Sequence, residues 1–175
     1  DPWGMTVDRF DKKIGEFTLL SMEDANSFRG YQGYTEPNIN VIEDGEVRVI
    51  IQGVFQYKSS YAVIEYCIPK KDSYIDVTIT TFINDVNKMI KYNLNSAFEN
   101  PTYLGETMFG YEEMNQNGEE VNFQKWCSLE MGNKVLAVLN EGIYGGCADN
   151  GKMLLSLLRT PAYSAHPIEE RNIVP

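Results

Sequence analysis

The sequence predicts an all-β fold, an antiparallel β-sandwich that follows a long irregular amino-terminal segment. Apolar and polar residues alternate with a period of two over several stretches, as in 75–83, and a half-buried strand requires this period. Turn signals rich in Gly, Asn and Asp separate these stretches. The intervals contain no helix-length stretch of period 3.6, so a βαβ unit is excluded and hairpins are expected.

Seven segments carry this alternation, and a weaker eighth segment covers residues 15–20. The seven cover residues 47–57, 60–68, 75–83, 88–98, 121–131, 134–140 and 152–160. Hairpin turns are predicted at Glu43-Asp44-Gly45, Gln116-Asn117-Gly118, Gly132-Asn133-Lys134 and Asp149-Asn150-Gly151. Gly53 lies inside a predicted strand and is a candidate β-bulge.

The pattern divides the chain into three parts. Residues 1–40 are read as a mostly irregular connection, 41–161 as the β-sandwich and 162–175 as an extended tail. Within the first part, the aromatic and Gly-rich run at 29–34 is expected to cover a sheet edge rather than to line a binding surface. The chain opens at Asp1 and stops at Pro175 without an evident ending device, so we expect a piece of a longer protein.

Composition excludes several classes of function. The chain has 175 residues, 43% of them hydrophobic, and no apolar run approaches the ~18 residues of a membrane span. With 25 Asp and Glu against 15 Lys and Arg, the formal charge of −10 would repel a phosphate backbone, so nucleic acid is excluded as a partner. Cys67, Cys127 and Cys147 form no CxxC pair, which predicts neither a disulfide framework nor a zinc ribbon, and the expected location is cytoplasmic.

Catalytic chemistry finds little support in the residue pattern, and we assign no catalytic and no metal-binding residue. His166 is the single histidine and has no partner at ligand spacing. Glycoside hydrolysis needs two carboxylates about 5–9.5 Å apart, but Glu112-Glu113 and Glu119-Glu120 flank a turn and are read as a solvated hairpin tip.

Other polar and aromatic positions have a structural reading that we prefer. Glu65 interrupts an apolar strand, so it is expected to be paired on an edge or buried with a partner. Cys147 follows two glycines but has no local base. Several aromatic residues could stack on sugar rings or belong to the core: Tyr103, Tyr111, Trp126, Tyr144 and Tyr163.

Three runs in the last third of the chain resemble the carboxyl-terminal β region of glycoside hydrolase family 38, the α-mannosidases. They are Gln124-Lys125-Trp126, then the run from Val135 to Gly145, then Leu154 to Tyr163, in the family's order and at its spacing of roughly 20 residues. Residues 41–48 are similar to the family's entry into the sandwich, with Glu46 where proline is commoner. Residues 74–77 and 85–95 resemble the strand and segment that follow, so the resemblance covers about 41–166.

This resemblance implies a supersandwich-like, non-catalytic portion of a retaining, metal-dependent exo-α-mannosidase that removes terminal α-linked mannose. It implies that the nucleophile and a divalent metal, usually zinc, belong to an amino-terminal barrel domain, so this portion holds no cofactor and is expected to be inactive alone. The implied partners are the other domains of the same chain and a mannose-containing oligosaccharide. In the family, loops of the β region help to wall the sugar pocket, and Tyr144, Asp149 and Asn150 in the connection 144–151 are the candidate substrate-binding residues here.

Two alternatives remain. A stand-alone carbohydrate-binding module would use exposed aromatic residues to bind manno-oligosaccharides. A purely structural interaction domain would bind no sugar. An apolar patch larger than a few hundred Å² would fit this alternative and equally a domain severed from its barrel. The sequence leaves open the linkage cleaved, the natural substrate, the oligomeric state and the role of the three cysteines.

Overall fold

The computed structural model describes residues 13–32 and 36–160 and confirms the antiparallel all-β fold. One short helix and thirteen strands make up this part of the chain. In chain order they are β1 (Thr18–Leu19), α1 (Met22–Phe28), β2 (Ile39–Asp44), β3 (Arg48–Tyr57), β4 (Ser60–Pro69), β5 (Asp76–Phe82), β6 (Met89–Asn95), β7 (Thr102–Thr107), β8 (Gly110–Glu113), β9 (Val121–Asn122), β10 (Trp126–Met131), β11 (Lys134–Leu139), β12 (Gly145–Asp149) and β13 (Lys152–Arg159). Over the described residues, no helix is long and apolar enough to cross a membrane.

The strands belong to two compact units. One unit is Ile14–Asp85, and the other contains Lys13 and residues 86–160 of the described chain. The sequence expected one sandwich over 41–161, whereas the structure shares these strands between the two units, with a boundary after Asp85. The predicted tail at 162–175 lies outside the described residues.

The first unit is built on one five-stranded antiparallel sheet. The long strand β3 pairs with β4 along one edge and with β1 and β2 along the other, and β4 pairs in turn with β5. A small core forms where α1 and the residues around β1 meet the sheet, with Leu20, Ala25 and Val54 buried there. The partly buried Tyr61 and Val63 pack against this core.

The second unit is a sandwich of two four-stranded sheets. Their strand orders are β11-β10-β7-β8 and β6-β13-β12-β9. The alternate inward residues of both sheets share one apolar core, as expected for packed sheets. This core consists of Tyr103, Met114, Phe123, Cys127, Leu129, Ala148, Met153 and Leu155.

Helix α1 is a regular element that the sequence pattern of residues 1–40 does not predict, although most of the described residues in this range lie outside helices and strands. Ser21 caps the helix, because its Oγ accepts a hydrogen bond of 3.1 Å from the Asp24 backbone N–H. Asn26 ties the helix to the following chain by donating to the Glu36 carbonyl at 2.8 Å and accepting from the Glu36 N–H at 3.0 Å. The seven residues of α1 span only two turns, so the sequence shows no extended apolar period there. The capping pattern from Ser21 to Asp24 is the sequence signal that could have predicted this helix.

Most of the predicted strands are confirmed, and the structure makes two kinds of correction. First, β2, β7, β8 and β12 are strands that lie outside the predicted segments. Second, the predicted strand 121–131 is two strands, β9 and β10, which belong to different sheets of the sandwich. The weak segment 15–20 contains only the two-residue strand β1.

The turn predictions hold at three of four positions. Asn150 and Gly151 both have positive φ and close the β12–β13 hairpin, the geometry of a type I′ turn. Gly132 and Asn133 join β10 to β11, and residues 45–47 join β2 to β3. Asn117-Gly118 is not a hairpin, because the strands on its two sides, β8 and β9, lie in different sheets.

Gly53 is not a bulge either. It pairs in regular register with Ile64, and the register shift in this sheet falls between Val41 and Glu43 of β2. A Cβ at Gly53 would lie 3.0 Å from the Phe55 ring. The glycine therefore makes room for an aromatic side chain on a regular strand.

Candidate functional site

Tyr144 lies at the rim of a shallow depression on the sandwich unit. Its side chain is 62% exposed. The depression has a volume of about 250 Å³ and is lined by Lys125, Asn140, Glu141 and Tyr144. An aromatic ring beside an ammonium, a carboxylate and an amide can stack on a sugar and hydrogen-bond its hydroxyls.

The loop that carries these residues is held by its own hydrogen bonds. Asn140 Oδ1 accepts from the backbone N–H groups of Gly142 at 3.1 Å and Ile143 at 2.8 Å, which is an Asx-type turn. The Asn140 side chain also donates to the Gln124 carbonyl at 3.0 Å, and its backbone N–H donates to the Lys125 carbonyl at 2.8 Å. Asn140 therefore has a structural role, and the depression is preformed.

Asp149 and Asn150 lie at the other end of β12. The sequence expected a loop over 144–151, but residues 145–149 are a strand that pairs with β13 and β9, and only Asn150 and Gly151 form a turn. The small residues hid the strand: a Cβ at Gly146 would lie 2.6 Å from the Leu154 carbonyl oxygen, so close strand packing requires glycine there. At about 3.3 Å per residue, Tyr144 and Asn150 are roughly 20 Å apart along the strand. One sugar ring cannot touch both.

The aromatic candidates separate into core and surface residues. Tyr103 is fully buried in the sandwich core. Tyr111 is 66% exposed and its ring centroid lies 5.9 Å from that of Trp126, which follows the depression residue Lys125 in the chain. Tyr163 lies outside the described residues. Exposed Tyr111 and half-buried Trp126 are thus an aromatic pair on β8 and β10.

A largely buried ion pair is the main polar feature that the sequence did not reveal. The Lys91 ammonium donates to the Glu120 carboxylate, and their side chains are 10% and 6% exposed. Lys91 Nζ also lies 3.3 Å from both Ser156 Oγ and Cys147 Sγ, and Ser156 donates to the second Glu120 oxygen at 2.7 Å. The prediction that Glu119-Glu120 is a solvated hairpin tip is wrong for Glu120, because the chain crosses between sheets there and carries it inward.

The structure agrees better with the predictions made for Glu65, Glu112 and Glu113. Glu112 and Glu113 lie exposed on β8, where water solvates their charges. Glu65 lies on a central strand, and it accepts a hydrogen bond of 2.8 Å from Gln52 Nε2 on β3. This confirms the expectation that Glu65 is structurally paired.

The thiols in the sandwich are poor nucleophiles. Burial raises the pKa of Cys127 to about 11 and also raises the pKa of Cys147, although the nearby Lys91 ammonium opposes the second shift. Burial likewise raises the pKa of the Tyr103 hydroxyl, with the neighbouring Cys127 thiol adding to the effect. These groups are therefore protonated at neutral pH.

The donor groups of the described residues do not fit a metal centre. Over residues 13–32 and 36–160, no group of three or more His, Cys, Asp or Glu side chains is arranged to hold an ion. His166 lies outside the described residues. The geometry thus defines a strand-rich chain with a surface depression beside Tyr144 and an aromatic pair of exposed Tyr111 and half-buried Trp126.

Comparison with protein families identifies this domain. Residues 15–166 match the family described as glycosyl hydrolases family 38 C-terminal domain. The chain therefore belongs to glycoside hydrolase family 38, as the resemblance in its last third indicated. A comparison with curated proteins found no match.

Proposed function

We propose that this chain is the non-catalytic β-sandwich portion of a retaining, metal-dependent exo-α-mannosidase, where it acts as a scaffold and as a wall of the sugar pocket. The observation that carries the proposal is the family match over 15–166, which covers most of the chain and is specific to the C-terminal domain. Family membership makes the parent a glycosidase with other domains in the same polypeptide. Removal of terminal α-linked mannose is the specificity that we propose for it.

In this proposal the hydrolytic step and its divalent ion, zinc in our view, belong to another domain. A zinc ion would polarise the substrate there, and no described residue of this chain forms a ligand set for it. The three cysteines are free thiols, which supports a cytoplasmic location where thiols stay reduced.

The Tyr144 end of β12 is the part of this chain that we propose to face a mannose-containing oligosaccharide. The ring is exposed, the depression beside it is preformed, and Lys125 and Glu141 supply polar groups at its rim. Asp149 and Asn150 remain predicted sugar contacts, but they would have to touch a different residue of an oligosaccharide.

Hydrolysis of an aryl α-mannoside tests the division of labour. We expect the full-length parent to release the aryl group and the 175-residue chain alone to release none. Hydrolysis by the chain alone, or a parent that cleaves other glycosides but no α-mannoside, would contradict the proposal.

A substitution in the parent tests the pocket wall. Aromatic contacts of this kind contribute about 0.5–1.5 kcal/mol, so Tyr144→Ala should raise KM roughly 2- to 12-fold with little change in kcat. Phe109→Ala is the matched control, because it removes a fully exposed aromatic ring to which we assign no sugar contact. An unchanged KM for Tyr144→Ala removes this residue from the sugar pocket.

The alternative of a stand-alone carbohydrate-binding module has one observation in its favour, the pair of exposed Tyr111 and half-buried Trp126. Calorimetric titration of the chain with manno-oligosaccharides distinguishes the two proposals. Sub-millimolar affinity that Tyr111→Ala abolishes would favour the module, and absence of heat would favour the scaffold.

A further inference from the structure

The five-stranded sheet has an aliphatic face that the described residues of its own unit leave uncovered. The face includes six aliphatic side chains, and the register places Ile39, Tyr66 and Ile68 on it as well. The six are Val41, Val49, Ile51, Ile64, Val77 and Ile79. Their common orientation follows from the register, because directly opposed residues share a face and so do residues two apart on a strand. Val41 lies opposite Ile51, and Ile64 lies opposite both Gly53 and Ile79.

The exposure of these side chains is unusual for their position. Ile51 and Ile64 lie on β3 and β4, which have strands on both sides, yet neither is buried. Toward the two edges, Val41 is 58% and Val77 39% exposed. Aliphatic residues in the middle of a sheet normally lie under a second layer, so this sheet lacks a layer on one side.

The opposite face of the same sheet looks different. Its buried core forms under α1, with Val54 1% exposed. Farther along, the Gln52–Glu65 hydrogen bond and the hydroxyl of Thr78 make it polar. The sheet is therefore two-sided, with one face suited to water and α1 and the other suited to an apolar partner.

We propose that the aliphatic face docks against another domain of the same family 38 polypeptide, through an apolar surface of that domain. The matched family unit is a C-terminal domain, so the parent carries further domains on the same chain, at high effective concentration. A second copy of this chain is the rival occupant. Its net charge of −10 disfavours self-association, because two copies would repel each other.

The size of the face is adequate for a stable contact. Four strands about 4.8 Å apart and roughly 25 Å of strand length give on the order of 500 Å², and about twice that when both partners are counted. This is at the upper end for an exposed patch on a monomer and reaches the roughly 1,000 Å² of a specific interface. The inference rests on the family membership and not on the α-mannoside specificity.

Thiol labelling of neighbouring residues on β5 tests the docking. Val77 lies on the aliphatic face and Thr78, the next residue, lies exposed on the opposite face. Val77→Cys and Thr78→Cys are made with Cys67→Ser, which removes the half-buried native thiol, since Cys127 and Cys147 are buried. Each variant is prepared as the 175-residue chain and as the full-length parent, and reaction with a maleimide is followed by mass spectrometry.

We expect Val77→Cys to react at least tenfold more slowly in the parent than in the chain, and Thr78→Cys to react at similar rates in both. Equal rates for Val77→Cys would overturn the inference, and so would protection of both positions in the parent. Protection in the chain that grows with concentration, with dimers in sedimentation, would assign the face to a second copy and overturn it too. If the parent does not hydrolyse an α-mannoside but its Val77→Cys thiol is protected from the maleimide, only the proposed specificity is refuted.

Discussion

Removing the charge of Glu120 should destabilise the sandwich unit strongly. Glu120→Gln keeps the size of the side chain but removes the carboxylate charge against which the Lys91 ammonium is buried. Breaking a buried ion pair on one side costs roughly 3–5 kcal/mol. Ser156 Oγ and Cys147 Sγ, both 3.3 Å from Lys91 Nζ, still contact the ammonium in the variant. We therefore expect a loss near the lower end, about 3 kcal/mol.

Urea denaturation followed by the fluorescence of Trp126 measures this loss, because Trp126 lies on β10 of the same unit. A Trp3→Phe background removes the only other tryptophan. The matched control is Glu112→Gln, because Glu112 is an exposed carboxylate on β8 of the same unit. Since water solvates that carboxylate, we expect no measurable change in stability.

A double variant separates the charge from the packing. Lys91→Met combined with Glu120→Leu removes both charges, and such replacements are often neutral or stabilising. We expect the double variant to be within about 1 kcal/mol of the unchanged protein. If Glu120→Gln has as little effect as Glu112→Gln, or if the double variant is less stable than Glu120→Gln, the reasoning from burial is wrong.

Three further predictions concern packing, pH and the hairpin. Gly146→Ala should destabilise by about 1–3 kcal/mol, because its Cβ would meet the Leu154 carbonyl, whereas Gly142→Ala, with open space around it, should be tolerated in the same denaturation assay. Burial raises the folded-state pKa of Cys127 to about 11 from 9.0. The folded state therefore favours the neutral thiol, and the stability contributed by that thiol is complete below about pH 9 and is lost as the pH rises to about 11. Thermal melts over pH 8–11.5 should show this decline, and Cys127→Ala should flatten it; an equal decline in the variant would assign it to other groups. Gly151→Ala should weaken the β12–β13 hairpin, since φ is +79° and the added Cβ would approach the Phe98 carbonyl, and unchanged amide exchange across this hairpin would contradict that.

The fold class could be predicted because alternation and turn chemistry are local properties of the chain. Long strands such as β3 and β13 contain enough β-branched and aliphatic residues to be predicted as strands from the sequence. The strand β12 could not be found in this way, since its Gly, Cys and Ala residues have weak propensity and owe their conformation to close neighbours in the sheet.

The geometry of the candidate site was predictable only in part, for a related reason. Tyr144 is exposed, and the Asn140-Glu141 stretch beside it falls inside the run that resembles the family. The ion pair joins Lys91 to Glu120, 29 positions apart in the chain, and no local sequence pattern predicts it. Long-range pairing likewise decided that Tyr144 and Asn150 lie at opposite ends of one strand.

The passage of the chain from β9 to β10 has a consequence for how this unit folds. Only residues 123–125 separate two strands that belong to different layers, and Phe123 sits in the shared core between them. Because the inward side chains of both sheets form this one core, a single sheet alone would expose that core to water. We therefore expect the sandwich to fold and unfold as one cooperative unit, with no stable intermediate in which only one sheet is formed.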